Sequence, residues 1–483
     1  MTALRRLPDA AILFLLLSLA VMMVSALAAA QGLALRHPAT GALVEARSLL
    51  SADLMRRLLV EMPRTFAEFP PLGTVLTVLV GIGIAERSGL IGAALSAVVR
   101  RAPSALLPAA VVFAGILSSL ASDAGFVVLP PLAAALFAAA GRHPVAGVAA
   151  AYAGVSGGYS ANLFITALDP LLAGLTEAAA RLIEPAATVP ATANWSLMAA
   201  LVPVLTAAGA WVNARFVEPR LGAWQPSGTD VPELAPEPAT VRRGLVAAGW
   251  AAVGLLALGV GLAMPPEGVL RDPATGRLTP LLAALPALVM LGFAIVGLAY
   301  GVAAGTIRAA ADAVRMAEGT LAGMATYILV AFVAAQFLAL FAWSNLGALL
   351  AIAGGGWLQA LGVGALPLLA GVVLLSGALN LIMPSASAKW ALLAPVLVPM
   401  LMAAGIPPAA TQAAYRVGDM GTNVIAPTMV YLPLLVAAAQ RFSPGFGVGS
   451  LLALMWPYAL VFLTLATVLL LLFVGLGVPL GPS

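Results

Sequence analysis

Asp123, Asp169, Lys389, Arg416 and Asp419 stand inside otherwise apolar sequence, and they are the side chains with which this chain can do chemistry. An ionisable group in such a setting is costly, so it is either paired or it serves a substrate or an ion. Arg416 and Asp419 are three residues apart, which places them on one face of a helix. Two readings follow. The two form an internal ion pair, or Arg416 holds a substrate carboxylate through two parallel hydrogen bonds while Asp419 serves a coupling ion or proton. Trp390 stands three residues after Ser387, and an indole beside a cationic pocket suits an aromatic anion. Small polar groups gather near these charges: Ser156, Ser160, Asn162, Asn380, Ser385, Ser387, Thr422 and Asn423. Their neutral oxygens are of the kind that coordinates a hard cation. Ser156, Asn162, Thr422 and Asn423, with Asp123 and Asp419, are therefore candidate coupling-ion groups, Asn162 and Asn423 being candidate sodium ligands.

The elements that must position these groups lie in a membrane. Of 483 residues, 62% are hydrophobic and 9% charged, and the mean hydropathy is +1.06; soluble domains carry about 25% charged residues. A helix needs roughly 20 apolar residues to cross the bilayer core, so the length allows about ten passes in one domain spanning 1–483. The absence of cysteine excludes a disulfide framework, a thiolate metal site and a cysteine nucleophile, and two histidines, His37 and His143, argue against zinc. No cofactor is expected beyond a coupling sodium ion or proton. The net charge of +4 reflects arginines that set topology rather than an affinity for nucleic acid. Arg5 and Arg6 before the apolar run at 10–30 predict a cytoplasmic N-terminus, and residues 31–70, of mixed charge, predict an external loop with an amphipathic helix. The arginine-flanked connectors at 215–243 and 305–319 read as cytoplasmic, and PPEGVLRDPATGRLTP between them as periplasmic.

Two distant stretches match without a gap at an offset of 264 residues: ASDAGFVVLPPLAAALFAAAG, ending at Gly141, and SASAKWALLAPVLVPMLMAAG, ending at Gly405. Each continues to a proline, Pro144 or Pro408, then to AAY at Tyr152 or Tyr415, and then to a glycine-containing polar segment ending at Asn162 or Asn423. A polar tip followed by an interrupted helix, once per half, points to a transporter built from two repeats with its site at the breaks. Irregular backbone at that depth is tolerated only where it is buried or lines a cavity. SSLASDAG (118–125) and NLIMPSASAKW (380–390) are read as the tips of two re-entrant hairpins. Repeat 1 spans about 71–214, the linker 215–243, and repeat 2 about 322–475.

On the motifs SSLASDAG with VVLPPLAA, AGVSGGYSANLFITALDPLLAG, SASAKWALLAPVLVPM and QAAYRVGDMGTNVIAPTMVYLPL, the sequence resembles the AbgT transporters over nearly its whole length. The resemblance implies an all-α polytopic protein of the inner membrane, with about nine transmembrane helices and two re-entrant hairpins. It also implies a homodimer and an internal repeat akin to the broader ion-transporter superfamily. The family's functional positions fall on Asp169, Ser387, Trp390, Pro408, Arg416, Asp419 and Pro427, which with Asn380 make the expected substrate path. The implied activity is secondary transport of p-aminobenzoyl-glutamate and related aromatic acids, with antiport of sulfonamide antimetabolites and hence sulfonamide resistance. Pro384 and Met420 depart from the family pattern, and Met420 removes a hydroxyl beside Asp419. The rival from another class is an intramembrane hydrolase using a Ser385/Lys389 dyad or an aspartate pair. Such a nucleophile needs its base within hydrogen-bond reach and an oxyanion site. No Walker A motif is present, which fits a gradient-driven carrier.

Overall fold

The computed structural model of the chain describes residues 10–36, 41–120, 124–224, 238–265, 267–383 and 385–482. His37, Asp123, Pro384 and the linker stretch 225–237 lie outside the described residues. After α1 (Ala10–Ala30), a short ladder pairs β1 (Ala34–Arg36) with antiparallel β2 (Leu43–Glu45), and α2 (Ala52–Ala67) follows. The first half then runs through α3 (Pro70–Arg87), α4 (Leu90–Arg100), α5 (Leu107–Leu117), α6 (Ala124–Ala139), α7 (Pro144–Tyr152), α8 (Leu168–Ala180) and α9 (Trp195–Val212). Between the halves lie α10 (Glu218–Leu221), α11 (Ala239–Ala263), α12 (Thr279–Ala304) and α13 (Ala310–Ala322). The second half comprises α14 (Ala325–Trp343), α15 (Leu346–Ala360), α16 (Ala365–Asn380), α17 (Ala386–Ala403), α18 (Pro408–Asn423), α19 (Leu432–Gln440) and α20 (Val448–Gly475).

The two halves present the same order of elements, and the same local chemistry sets their boundaries. In each, a helix bends by 119° into the next: α4 into the segment 104–120, and α15 into α16. The second arms, α6 and α17, end at Gly141 and Gly405, whose φ of +70° and +87° are the left-handed conformation that closes a helix and that glycine adopts without strain. Pro144 and Pro408 then occupy the first turn of α7 and α18, where a missing backbone N–H costs nothing. Ser385 caps α17 by accepting from Ala388 N. Eight helices are long and apolar enough to cross a membrane, and the two bent pairs bring the count to ten among the described residues. α11 and α12 pack on each other and on α3 and α4 yet leave most of their apolar surface uncovered, with Trp250 73% exposed, as expected of helices facing lipid. The amphipathic helix expected in 31–70 is α2, with Arg57 over the Trp343 ring and paired with Glu61.

One expectation is corrected by the second half. The first break is real: α7 loosens into a π-helical turn at Ala153–Gly157 and leaves regular helix before Asn162. RVGDMGTN, by contrast, stays regularly helical to Asn423, and the interruption falls at 424–431. Gly418 and Gly421 are there for close approach instead. A Cβ at Gly418 would stand 2.0 Å from Ser376 Oγ and 2.2 Å from Val373 O, and one at Gly421 would meet Leu463 at 3.0 Å. Because a backbone carbonyl of α16 cannot yield, Gly418→Ala is expected to destabilise the protein by about 2–3 kcal/mol through overpacking. Thermal unfolding of the purified variant in detergent should show a clearly lower midpoint; an unchanged midpoint would mean that α16 and α18 are free to separate.

Candidate functional site

Four charged side chains are buried among the described residues, and they are Asp169, Lys389, Arg416 and Asp419. They form two ion pairs, and neither is the Arg416–Asp419 pair that spacing suggested. Lys389 Nζ, on the second hairpin's inner turn, lies 2.5 Å from Asp419 Oδ1 on α18. It also donates to Asn380 Oδ1 at 2.5 Å and Met383 O at 3.3 Å. Asn380 ends α16, and its amide nitrogen reaches Asp419 O, Thr422 Oγ1 and Asn423 Oδ1 at 2.7–3.0 Å. Both arms of the second hairpin are thus tied to the last two turns of α18 through one amide and one ammonium.

Arg416 is turned the other way, toward the first half. Its Nη1 donates to Asp169 Oδ1 at 2.7 Å and its Nη2 to Ser160 O at 2.9 Å. Asp169 sits in the first turn of α8, where a carboxylate is favoured by the helix dipole, and its Oδ2 accepts from Thr166 N and Oγ1 at 2.7 and 2.8 Å. Arg416 therefore clamps α18 to α8 and to the irregular segment after α7. In this conformation it is not available to hold a substrate carboxylate. Trp390 is likewise behind the site rather than on the expected substrate path: it is fully buried, stacks on Tyr415 with ring centroids 4.5 Å apart, and donates from Nε1 to Thr176 Oγ1. Thr176 passes that contact on to Gln412.

A cavity of about 430 Å³ opens in front of these pairs, lined by Phe126 on the first hairpin, Tyr159 and Asn423 at the breaks, Ser385, Ala386 and Ser387 at the second tip, Val75 and Leu79 on α3, and Met324 and Tyr327 at the start of α14. Its walls are apolar and aromatic with a few hydroxyls, and the Phe126 and Tyr431 rings stack 4.2 Å apart on one side. Residues 3–483 match the AbgT putative transporter family. The chain belongs to the AbgT family. It is 36% identical to the p-aminobenzoyl-glutamate transport protein of Escherichia coli (strain K12), over 99% of this chain and 94% of that one. The solved YdaH transporter of Alcanivorax borkumensis is 42% identical and superposes with a TM-score of 0.94 over 98% of this chain and all of that one. MtrF of Neisseria gonorrhoeae, reported as illuminating a class of antimetabolite efflux pumps, is 40% identical with a TM-score of 0.94, over 99% and 97% of the two chains. The protein is thus a multi-pass membrane transporter and not an enzyme.

Within this AbgT fold the predicted site residues separate into layers. Ser387 and Asn423 line the cavity. Asn380, Asp169, Arg416, Asp419 and Trp390 are buried behind it, and Thr422 beside them bonds Asn380. Pro408 starts α18, eight residues and so about 12 Å of helix from Arg416. Pro427 is exposed in the break before α19. Neither proline lines the cavity. On the first-half side, Ser156 O lies 3.5 Å from Asn423 Nδ2, while Ser160 Oγ and Asn162 Oδ1 are buried without a hydrogen-bond partner. Those neutral oxygens fit a monovalent cation by donor type. The hydrolase alternative fails on family, and its arrangements are not assembled: Ser385 Oγ caps α17, Lys389 pairs with Asp419 and Asn380, and Asp169 and Asp419 are each paired with a separate cation. Tyr327, Thr176 and Gln412 were not singled out from sequence, where each reads as an ordinary helix residue, and Tyr159 was passed over among the small polar groups of the first interrupted segment.

Proposed function

We propose that this transporter is a secondary carrier of p-aminobenzoyl-glutamate and related aromatic acids across the bacterial inner membrane, with sulfonamide antimetabolites as further cargo. It acts as a homodimer and is driven by a sodium or proton gradient. The observation that carries the reading is the cavity, because its lining is drawn from both hairpins, both interrupted segments and the helices α3, α8 and α14. A ligand there touches elements of both halves of the fold. The aromatic walls suit a benzoyl ring, and the hydroxyls and amide suit its polar ends. The E. coli relative's named substrate supports the first cargo and the name given to MtrF supports the second. The partnerless oxygens of Ser160 and Asn162 favour sodium as a co-transported ion. Arg87, Arg100, Arg101, Arg242, Arg243 and Arg308 favour a cytoplasmic side that also holds the N-terminus.

Proteoliposomes test this directly. Labelled p-aminobenzoyl-glutamate should accumulate against its own gradient when a sodium or a proton gradient is imposed, and should only equilibrate, or stay out, when neither is present. Equilibration alone under every gradient would indicate a passive channel. An absence of flux for both the acid and a sulfonamide would remove the substrate assignment.

A further inference from the structure

One residue of the cavity lining carries a hydroxyl with no partner among the described residues. Tyr327, in the first turn of α14, lines the cavity, and its phenolic oxygen is shielded from solvent without a hydrogen bond. Folded proteins rarely leave such a group unpaired, and an exception calls for a missing partner. The neighbouring polar groups do not supply one. Asn423 is engaged with Asn380 and Ser156, and Ser385 caps α17. The two cations nearest the site are already consumed in buried ion pairs and do not line the cavity. An acidic ligand entering this space therefore meets no free positive charge, and its oxygens must be received by neutral donors. A phenolic O–H is such a donor.

We propose that Tyr327 is a substrate-contact residue, its hydroxyl turning out of its shielded position to donate a hydrogen bond to a carboxylate oxygen of an aromatic acid held between α14 and the second hairpin tip. The assignment rests on the aromatic-acid reading given above. It adds a recognition element from outside the hairpins: α14 packs against α1 and α2, so a ligand joining Tyr327 to Ser387 bridges the flanking helices and the hairpin. Such a bridge favours whichever hairpin position satisfies both ends.

The test is Tyr327→Phe in the full-length purified protein. Binding of p-aminobenzoyl-glutamate is measured by calorimetric titration, and the ligand-free protein is unfolded thermally. A hydrogen bond to a charged acceptor predicts a Kd raised about 10- to 100-fold. Removing an unsatisfied hydroxyl predicts a ligand-free midpoint that is unchanged or higher. If wild type binds the acid and Tyr327→Phe binds it equally well, the contact does not exist. If affinity falls together with a clearly lower ligand-free midpoint, the tyrosine is structural and the proposal is overturned. If wild type itself binds no p-aminobenzoyl-glutamate, the substrate reading fails and takes this assignment with it.

Discussion

Lys389→Met is expected to be among the most damaging single substitutions in the protein, and Lys389→Met combined with Asp419→Asn is expected to recover much of the lost stability while leaving transport abolished. The ammonium and the carboxylate are both almost wholly buried and lie 2.5 Å apart. Removing one partner of such a pair strands the other charge in a low-dielectric interior, at a cost of about 3–5 kcal/mol. Neutralising both removes that penalty, so the double variant should lie within about 1–2 kcal/mol of wild type, since buried pairs replaced by neutral groups are often close to neutral in stability. Transport should not return, because the double variant lacks the charged tie between the second hairpin and α18. The check is a double-mutant cycle on thermal midpoints in detergent, with proteoliposome flux measured on the same four proteins. Two single variants no less stable than the double would show that the charges are not coupled, and flux in the double would show that the pair is only a structural tie.

The contrast between what was readable in the sequence and what was not follows from periodicity. The spans, the order of elements and the repeat were legible because apolar runs, Gly141 with Pro144, and Gly405 with Pro408 are local signals that act within a few residues. The charged residues of the site were legible as a set, since Asp169, Lys389, Arg416 and Asp419 interrupt apolar sequence and all four are buried. Their pairing was not. Arg416 and Asp419 share a helix at a spacing that permits contact, but the tertiary fold offers each a better partner: Asp169, 247 residues away, and Lys389 on the hairpin. Glycine misled for a related reason. Gly418 and Gly421 read as helix breakers, whereas their use is to let α16 and α20 approach α18 more closely than a Cβ allows. Trp390 shows the same limit. Its position beside Ser387 suggested a lining role, yet its ring packs into the interior, onto Tyr415 and Thr176.

For the other ion pair the decisive comparison is Arg416→Ala against Arg416→Lys. Alanine leaves Asp169 buried without its cation, and the expected loss is about 3–5 kcal/mol, partly offset by the two bonds from Thr166 that still hold the carboxylate. Lysine keeps the charge but not the geometry. The guanidinium reaches Asp169 with one nitrogen and Ser160 O with another, spanning α8 and the irregular segment after α7 in one rigid plane, and a single ammonium on a flexible stem does not reproduce that fork. Arg416→Lys should therefore lose about 1–2 kcal/mol, the worth of the carbonyl contact and its geometry, and remain well folded. Its transport should nevertheless fall at least about tenfold, the change that roughly 1.4 kcal/mol makes in a rate or equilibrium, because the segment carrying Ser160 and Asn162 would no longer be fixed relative to α18. Under the proposed sodium coupling, sodium dependence separates the roles: a lysine variant whose flux needs more sodium than wild type would place the defect in the Ser160–Asn162 segment, whereas loss of flux at unchanged sodium dependence would place it in the α8 to α18 clamp itself. Full activity in Arg416→Lys would mean that charge alone suffices and that the bond to Ser160 is incidental.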